Sequence, residues 1–114
     1  MVELTGGAGE NLKPPYYAVI FTSTRSVEDP AGYSGMAERM EQIASQQPGF
    51  LGVESHRDRD GREITVSYWA DLASIGAWRS HSEHLLAQLM GKSVWYESYH
   101  VRICRVEQVY SFPG

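Results

Sequence analysis

The stretch SYWADLASIGAWRSHSEH, residues 67–84, gathers reactive side-chain types in one place. Trp69 and Trp78 stand nine residues apart, and His81 and His84 follow within six residues of Trp78. Two indoles can wall an apolar pocket and stack on a flat ligand. Histidine ordinarily titrates near neutrality, so an imidazole at the rim of such a pocket can act as a general base. A neutral imidazole can equally ligate haem iron.

On a helical wheel at about 100° per residue, Ile75, Ser82, Leu85 and Leu89 share the side of Trp78. His81 falls at the edge of that stripe and His84 well outside it. Trp78 and His81 are therefore expected to line a cavity beneath the helix, with Ser82 leaving room by its small size. The plainer reading is that the tryptophans fill a core and both histidines are wet.

Further along, Tyr96 and Tyr99 can donate hydrogen bonds to a substrate oxygen. Arg102 can stabilise an anion if its strand face looks into the pocket; otherwise it suits a cross-strand ion pair. Cys104 reads as a small core residue. His81 and His84 have no third ligand at suitable spacing, so no metal site is expected.

These residues need elements to hold them. Residues 1–15, with glycines at 6, 7 and 9 and Pro14-Pro15 at the end, read as a flexible tail. Residues 16–23, YYAVIFTS, are aromatic and β-branched and form a strand with two apolar faces. Asp29 before Pro30 is a helix start, and Tyr33, Met36, Ala37, Met40, Ile43 and Ala44 repeat at helical spacing. Pro48-Gly49 ends that helix at Gln47. A strand over 50–57, a turn at Asp60-Gly61 and a strand over 63–69 follow. Ile64, Val66 and Tyr68 share one face of the latter.

Asp71 is the cap of a second helix over about 72–90, closed by Gly91. Residues 94–112 form a long last strand, Tyr99, Val101 and Ile103 alternating with His100, Arg102 and Cys104. The order β-α-β-β-α-β is the ferredoxin-like α+β pattern, an antiparallel sheet with two helices on one face. The face without helices is expected to carry Tyr17 or Ile20, Trp69 and Val101. That set is too apolar to leave wet, so a homodimer is expected.

Composition narrows the function classes. A chain of 114 residues fits one domain. Net charge is −4 with few, scattered basic residues, which argues against nucleic acid and anionic membrane partners. One cysteine suits a reducing cytoplasm. No apolar run approaches the roughly 20 residues that span a bilayer.

With its elements laid out, the chain resembles the antibiotic biosynthesis monooxygenase superfamily of dimeric α+β barrel proteins. YYAVIFTS at 16–23, QPGFLGVES at 47–55, ITVSYWADLASIGAWRSHSEH at 64–84 and WYESYHVRICRVEQVYSF at 95–112 carry the resemblance. It implies a single domain over 16–112 and a homodimer closing into a barrel. It also implies a cofactor-independent monooxygenase acting with molecular oxygen on a small aromatic or enolisable substrate. On this reading His81, Arg102 and Tyr99 are the catalytic candidates, and Trp69, Trp78, Tyr96 and Ser82 bind substrate. The alternative is a haem- or small-ligand-binding dimer without turnover.

Two branches of the superfamily match only in part. The haem-degrading branch has an asparagine on the first strand, a tryptophan in the second helix and a histidine ten residues later. Trp78 matches, but Gln88 and Ile20-Phe21 occupy the other places. The quinone-forming branch has an asparagine four residues before the strand tryptophan and a tyrosine six after it. Trp69 matches, with Thr65 and Ile75 at the partner positions.

Overall fold

The computed structural model describes residues 2–5, 12–26, 30–88 and 96–113. The elements are β1 (Val2–Thr5), β2 (Tyr16–Arg25), α1 (Pro30–Ser45), β3 (Phe50–Arg57), β4 (Arg62–Trp69), α2 (Leu72–Gln88) and β5 (Tyr96–Val106). From β2 onward they follow the expected β-α-β-β-α-β order. The strands form one five-stranded sheet in the order β1-β3-β4-β2-β5, every neighbouring pair antiparallel. The two crossovers then join parallel strands, β2 to β3 and β4 to β5, and right-handed crossovers put both helices on one face.

Local chemistry sets the boundaries. α1 gives way where Gln46 and Gln47 donate to the carbonyls of Ile43 and Ala44, tightening the last turn. Gly49 follows at φ 83°, and a Cβ there would collide with the Ser74 side chain at the start of α2. The Ala70 amide donates to the Gly49 carbonyl at 2.8 Å, so this glycine pins the first turn of α2 to the end of α1. Between β3 and β4, Asp58 Oδ1 accepts from the amides of Asp60 and Arg62, and Gly61 takes φ 84°. Asp71 caps α2, its Oδ1 accepting the Ser74 amide at 2.7 Å. That bond holds the Asp71 carboxyl below its ordinary range. Asp29 and Gly91, the other expected boundary residues, lie outside the described residues.

Three expectations change. Residues 2–5, assigned to the tail, pair along the outer edge of β3 as a strand. β5 stops at Val106 and does not run to 112. Its partner β2 begins at Tyr16, opposite Val106, so the ladder has nothing further to bond. Cys104 is exposed rather than a core residue, because it lies on the edge strand β5.

A fourth change concerns the faces of the sheet. Trp69 is fully buried, and its indole stacks on that of Trp78 in α2, so Trp69 points toward the helices. Residues directly opposite in antiparallel strands share a face, and alternate residues along a strand change face. The register therefore puts Trp69, Ser67, Thr65 and Glu63 of β4 on the helix side with Tyr17, Val19, Phe21 and Ser23 of β2. Tyr99, Val101, Ile103 and Arg105 of β5 join them. Trp69, Tyr17 and Val101 are thus not on the helix-free face; of the residues expected there, only Ile20 is. That face carries Ile20, Ile64, Val66, Tyr68, Arg102 and Cys104 instead. Among the described residues no helix is long and apolar enough to cross a membrane.

Candidate functional site

β4 alternates cleanly, but with its polarity turned round. Ile64, Val66 and Tyr68 point away from the helices, and Glu63, Thr65 and Ser67 point under them. In a lone ferredoxin-like domain, burial favours the opposite arrangement. A floor of hydroxyls and one carboxylate beneath two helices is costly unless those groups find partners there.

The aromatic end of the floor is well built. Trp69 and Trp78 stack at 6.3 Å between ring centres and 24° between planes. Phe50 meets Trp69 edge-on at 5.5 Å. The Trp69 indole N–H donates to Ser67 Oγ at 2.8 Å, which satisfies the buried donor and fixes the ring. The His81 ring lies 5.9 Å from that of Trp78 and is exposed. Because β4 and β5 are parallel, α2 runs back along the sheet. At about 1.5 Å per helical residue and about 3.3 Å per strand residue, His81 comes roughly level with Thr65 and Ser67.

The remainder of the helix side is loosely covered. Val19, Phe21, Thr65 and Ser67 are only half-buried although they lie on the two central strands. Val101 and Ile103 on β5 are 49% and 46% exposed. Phe21 and Tyr99 stack at 5.4 Å and continue the aromatic lining away from the tryptophans.

The sequence candidates are thus partly brought together. Trp69, Trp78 and His81 are in contact in series, and Tyr99 shares their side of the sheet. Arg102 does not join them. It points to the helix-free side, where its Nη1 reaches Thr22 Oγ1 at 3.5 Å, and among the described residues no cross-strand acid takes it up in an ion pair. Ser82 turns its hydroxyl to the Arg79 carbonyl of its own helix at 3.1 Å. Tyr96 begins β5 opposite Arg25, and its side chain lies outside the described residues. Glu83 pairs with Arg79, and among the described residues no three histidine, cysteine or acidic side chains come together to hold a metal.

Two residues were missed. Glu63 is only 6% exposed on the helix side, and its Oε2 is held by Arg57 Nε at 2.7 Å. Ser23, directly opposite it on β2, is equally buried. The available signal was phase: Glu63, Thr65 and Ser67 alternate in step with Trp69, so an inward Trp69 brings the polar set in with it.

An antiparallel α+β sheet with a tryptophan pair and a histidine over a polar floor defines a ferredoxin-like domain with its candidate site on the helix side of the sheet. Comparison with known proteins makes this more definite. Residues 35–88 match the family model described as antibiotic biosynthesis monooxygenase. The chain is 57% identical over 96 residues to the uncharacterized protein YqjZ of Bacillus subtilis, covering 84% of this chain and 83% of that one. It is 27% identical over 92 residues to the jasmonate monooxygenase ABM of Pyricularia oryzae, covering 79% of this chain but only 43% of that protein. Its fold matches SnoaB, a cofactor-independent oxygenase from Streptomyces nogalater, with a TM-score of 0.69 at 16% identity over 84% of this chain and 97% of the other. The chain belongs to the antibiotic biosynthesis monooxygenase family.

Proposed function

We propose that the protein is a cofactor-independent monooxygenase that oxidises a small aromatic or enolisable substrate with molecular oxygen, as a cytoplasmic homodimer. The observation that carries this reading is the run Trp69–Trp78–His81 over the inward hydroxyls of Thr65 and Ser67. It supplies a half-buried indole backed by a buried one, an exposed base beside it and a polar surface below. The likeness to SnoaB, a cofactor-independent oxygenase, and to the jasmonate monooxygenase of Pyricularia supports the same class.

Such chemistry asks little of the protein. For an activated methylene, His81 takes one proton and leaves a carbanion whose charge rests on a neighbouring oxygen. Tyr99 donates to that oxygen and stabilises it. The carbanion passes one electron to dioxygen, and the two radicals combine to form the C–O bond. The peroxide takes up the proton; loss of the second C–H proton then breaks the O–O bond and expels hydroxide, which leaves as water. The net change is methylene plus dioxygen to carbonyl plus water. Trp78 holds the ring, with the buried Trp69 backing it and Ser82 beside it; Tyr96 is the further substrate-binding candidate. Arg102 faces away from this set within its own protomer.

The turned polarity of β4 supports the dimer. Ile20, Ile64, Val66 and Tyr68 form an apolar sheet face that neither helix covers, and Ile64 is 49% exposed. A second copy of that face would bury it.

The test is oxygen uptake with a panel of hydroxyquinols and of aryl ketones carrying an activated methylene, in the presence of a metal chelator, with haemin titrated in parallel. With the methylene substrates, one dioxygen consumed per methylene converted to carbonyl, indifferent to chelator, is expected. No uptake above the uncatalysed rate, together with a haemin complex lost in His81→Ala, would establish the ligand-binding alternative instead.

A further inference from the structure

We infer that Ser23 and Glu63 form a hydroxyl-recognising subsite at the end of the floor opposite the tryptophans, which selects elongated substrates carrying a distal alcohol or phenol. The inference rests on the substrate-binding reading above and adds a determinant of specificity to it.

Ser23 is the starting point. It is 6% exposed, and its hydroxyl is buried with no hydrogen-bond partner among the described residues. More than about nine in ten buried polar groups in proteins are satisfied, so one that is not calls for a missing partner. Its surroundings indicate which partner. In the register, Ser23 lies directly opposite Glu63 on one side and Tyr99 on the other, all three on the helix side of the sheet. Directly opposed residues have Cβ atoms about 5 Å apart, close enough to converge on one small group. Glu63 supplies a buried carboxylate whose charge is balanced by Arg57 at 2.7 Å.

That balance decides the ligand chemistry. A carboxylate acceptor beside a hydroxyl, with its countercharge already in place, disfavours an added anion and leaves no net charge to recruit a cation. A neutral hydroxyl, which donates to Glu63 and accepts from Ser23, uses both groups. Six residues of β4 separate Trp69 from Glu63, about 20 Å at 3.3 Å per residue. Side chains from both ends reduce that gap to the length of a rod-shaped aromatic molecule. Phe21, stacked on Tyr99, continues the apolar lining between the two ends.

The experiment is calorimetric titration without oxygen, using para-hydroxybiphenyl and para,para′-dihydroxybiphenyl on wild type, Ser23→Ala and Glu63→Gln. Wild type is expected to bind the diol about 10-fold more tightly, as one further neutral hydrogen-bonded group allows. Ser23→Ala should bring the two compounds to within about 2-fold while leaving the monophenol affinity unchanged. Thermal unfolding of Ser23→Ala close to wild type shows that the fold is kept. Equal binding of the two compounds by wild type, a diol preference that survives both substitutions, or binding of neither compound overturns the inference. The outcome is separable from turnover. A diol preference without any oxygenase activity keeps this subsite and discards the monooxygenase reading, and the reverse pattern does the opposite.

Discussion

The Trp69 and Trp78 rings lie 6.3 Å apart and 24° from parallel, joining the end of the central strand β4 to the middle of α2. The two rings differ in environment: Trp69 is fully buried and its N–H is satisfied by Ser67, whereas Trp78 is half-buried. Their truncations should therefore separate structure from binding. Trp69→Ala is expected to cost about 3–5 kcal/mol by opening a cavity. Trp78→Ala should cost roughly 1–2 kcal/mol, since less of its surface leaves water on folding. Urea unfolding with an unchanged m-value measures both.

The helix-free face should make the dimer sensitive to a single charge. Light scattering at micromolar concentration is expected to give twice the 12.8 kDa chain mass. Ile64→Asp puts a carboxylate into the face shared with Val66 and Ile20, and should shift the mass to that of one chain. A wild-type mass of one chain would remove the dimer from the proposal. An interface of this kind should bury more than roughly 2,000 Å² in total.

Much of this fold was legible because local signals agreed. The aromatic and β-branched run at the start of β2, the Pro48-Gly49 stop, the Asp60-Gly61 turn and the Asp71 cap each have one physical meaning, and the chain takes it. What could not be read is which face of a strand turns inward. Period-2 alternation in β4 separates Ile64, Val66 and Tyr68 from Glu63, Thr65 and Ser67, but it is symmetric under exchange of the faces. The usual preference buries the apolar set. Only the contact between Trp69 and Trp78, 9 residues apart in sequence, breaks the tie, and it is tertiary. The same blindness misplaced Trp69 and left Glu63 and Ser23 unnoticed. It is also why the role given to Arg102 depended on a face that the sequence could not assign.

Gly49 should be among the least replaceable surface positions. At φ 83° a side chain is strained by about 1–2 kcal/mol, and here the added Cβ also strikes Ser74. Gly49→Ala is expected to lower stability by at least that amount. Gly35 in α1 has no atom within 4 Å of its would-be Cβ and is the control. Gly35→Ala should raise stability by about 0.4–1 kcal/mol. Thermal melts of the two variants in parallel compare the effects.

Tyr68 predicts an alkaline weakness. Burial, and then the neighbouring Glu54 carboxylate that accepts its hydroxyl proton at 3.1 Å, push the phenol from 10.0 up to about 12. The folded chain therefore holds Tyr68 neutral over a range in which the unfolded chain would ionise it. The stability this contributes is whole below pH about 10 and is lost as pH rises through about 12. Wild type should lose stability across that window, and Tyr68→Phe should lose measurably less. Denaturant midpoints at pH 9, 10 and 11 for both proteins test this; parallel curves would show that Tyr68 plays no part.

The two histidines of α2 provide the sharpest test of the proposed chemistry. His81 and His84 are both exposed and lie on the same helix, so substitution at either disturbs little packing. They differ in placement: the His81 ring stands 5.9 Å from that of Trp78, beside the aromatic pair, and His84 falls one helical position further round. If His81 is the base, its loss removes proton abstraction, which is ordinarily worth about 10²–10⁴-fold in rate. His81→Ala should then depress oxygen uptake on an enolisable substrate by that factor, while His84→Ala stays within about 2-fold of wild type. Substrate affinity, set by the tryptophans, should change little in either variant, so the loss falls on kcat and not on KM. Raising the pH should restore His81→Ala toward wild type, because a substrate that ionises by itself no longer needs the imidazole. Equal effects of the two substitutions, or a loss confined to KM, would assign His81 to the pocket wall and leave the base to be sought elsewhere on the helix side of the sheet.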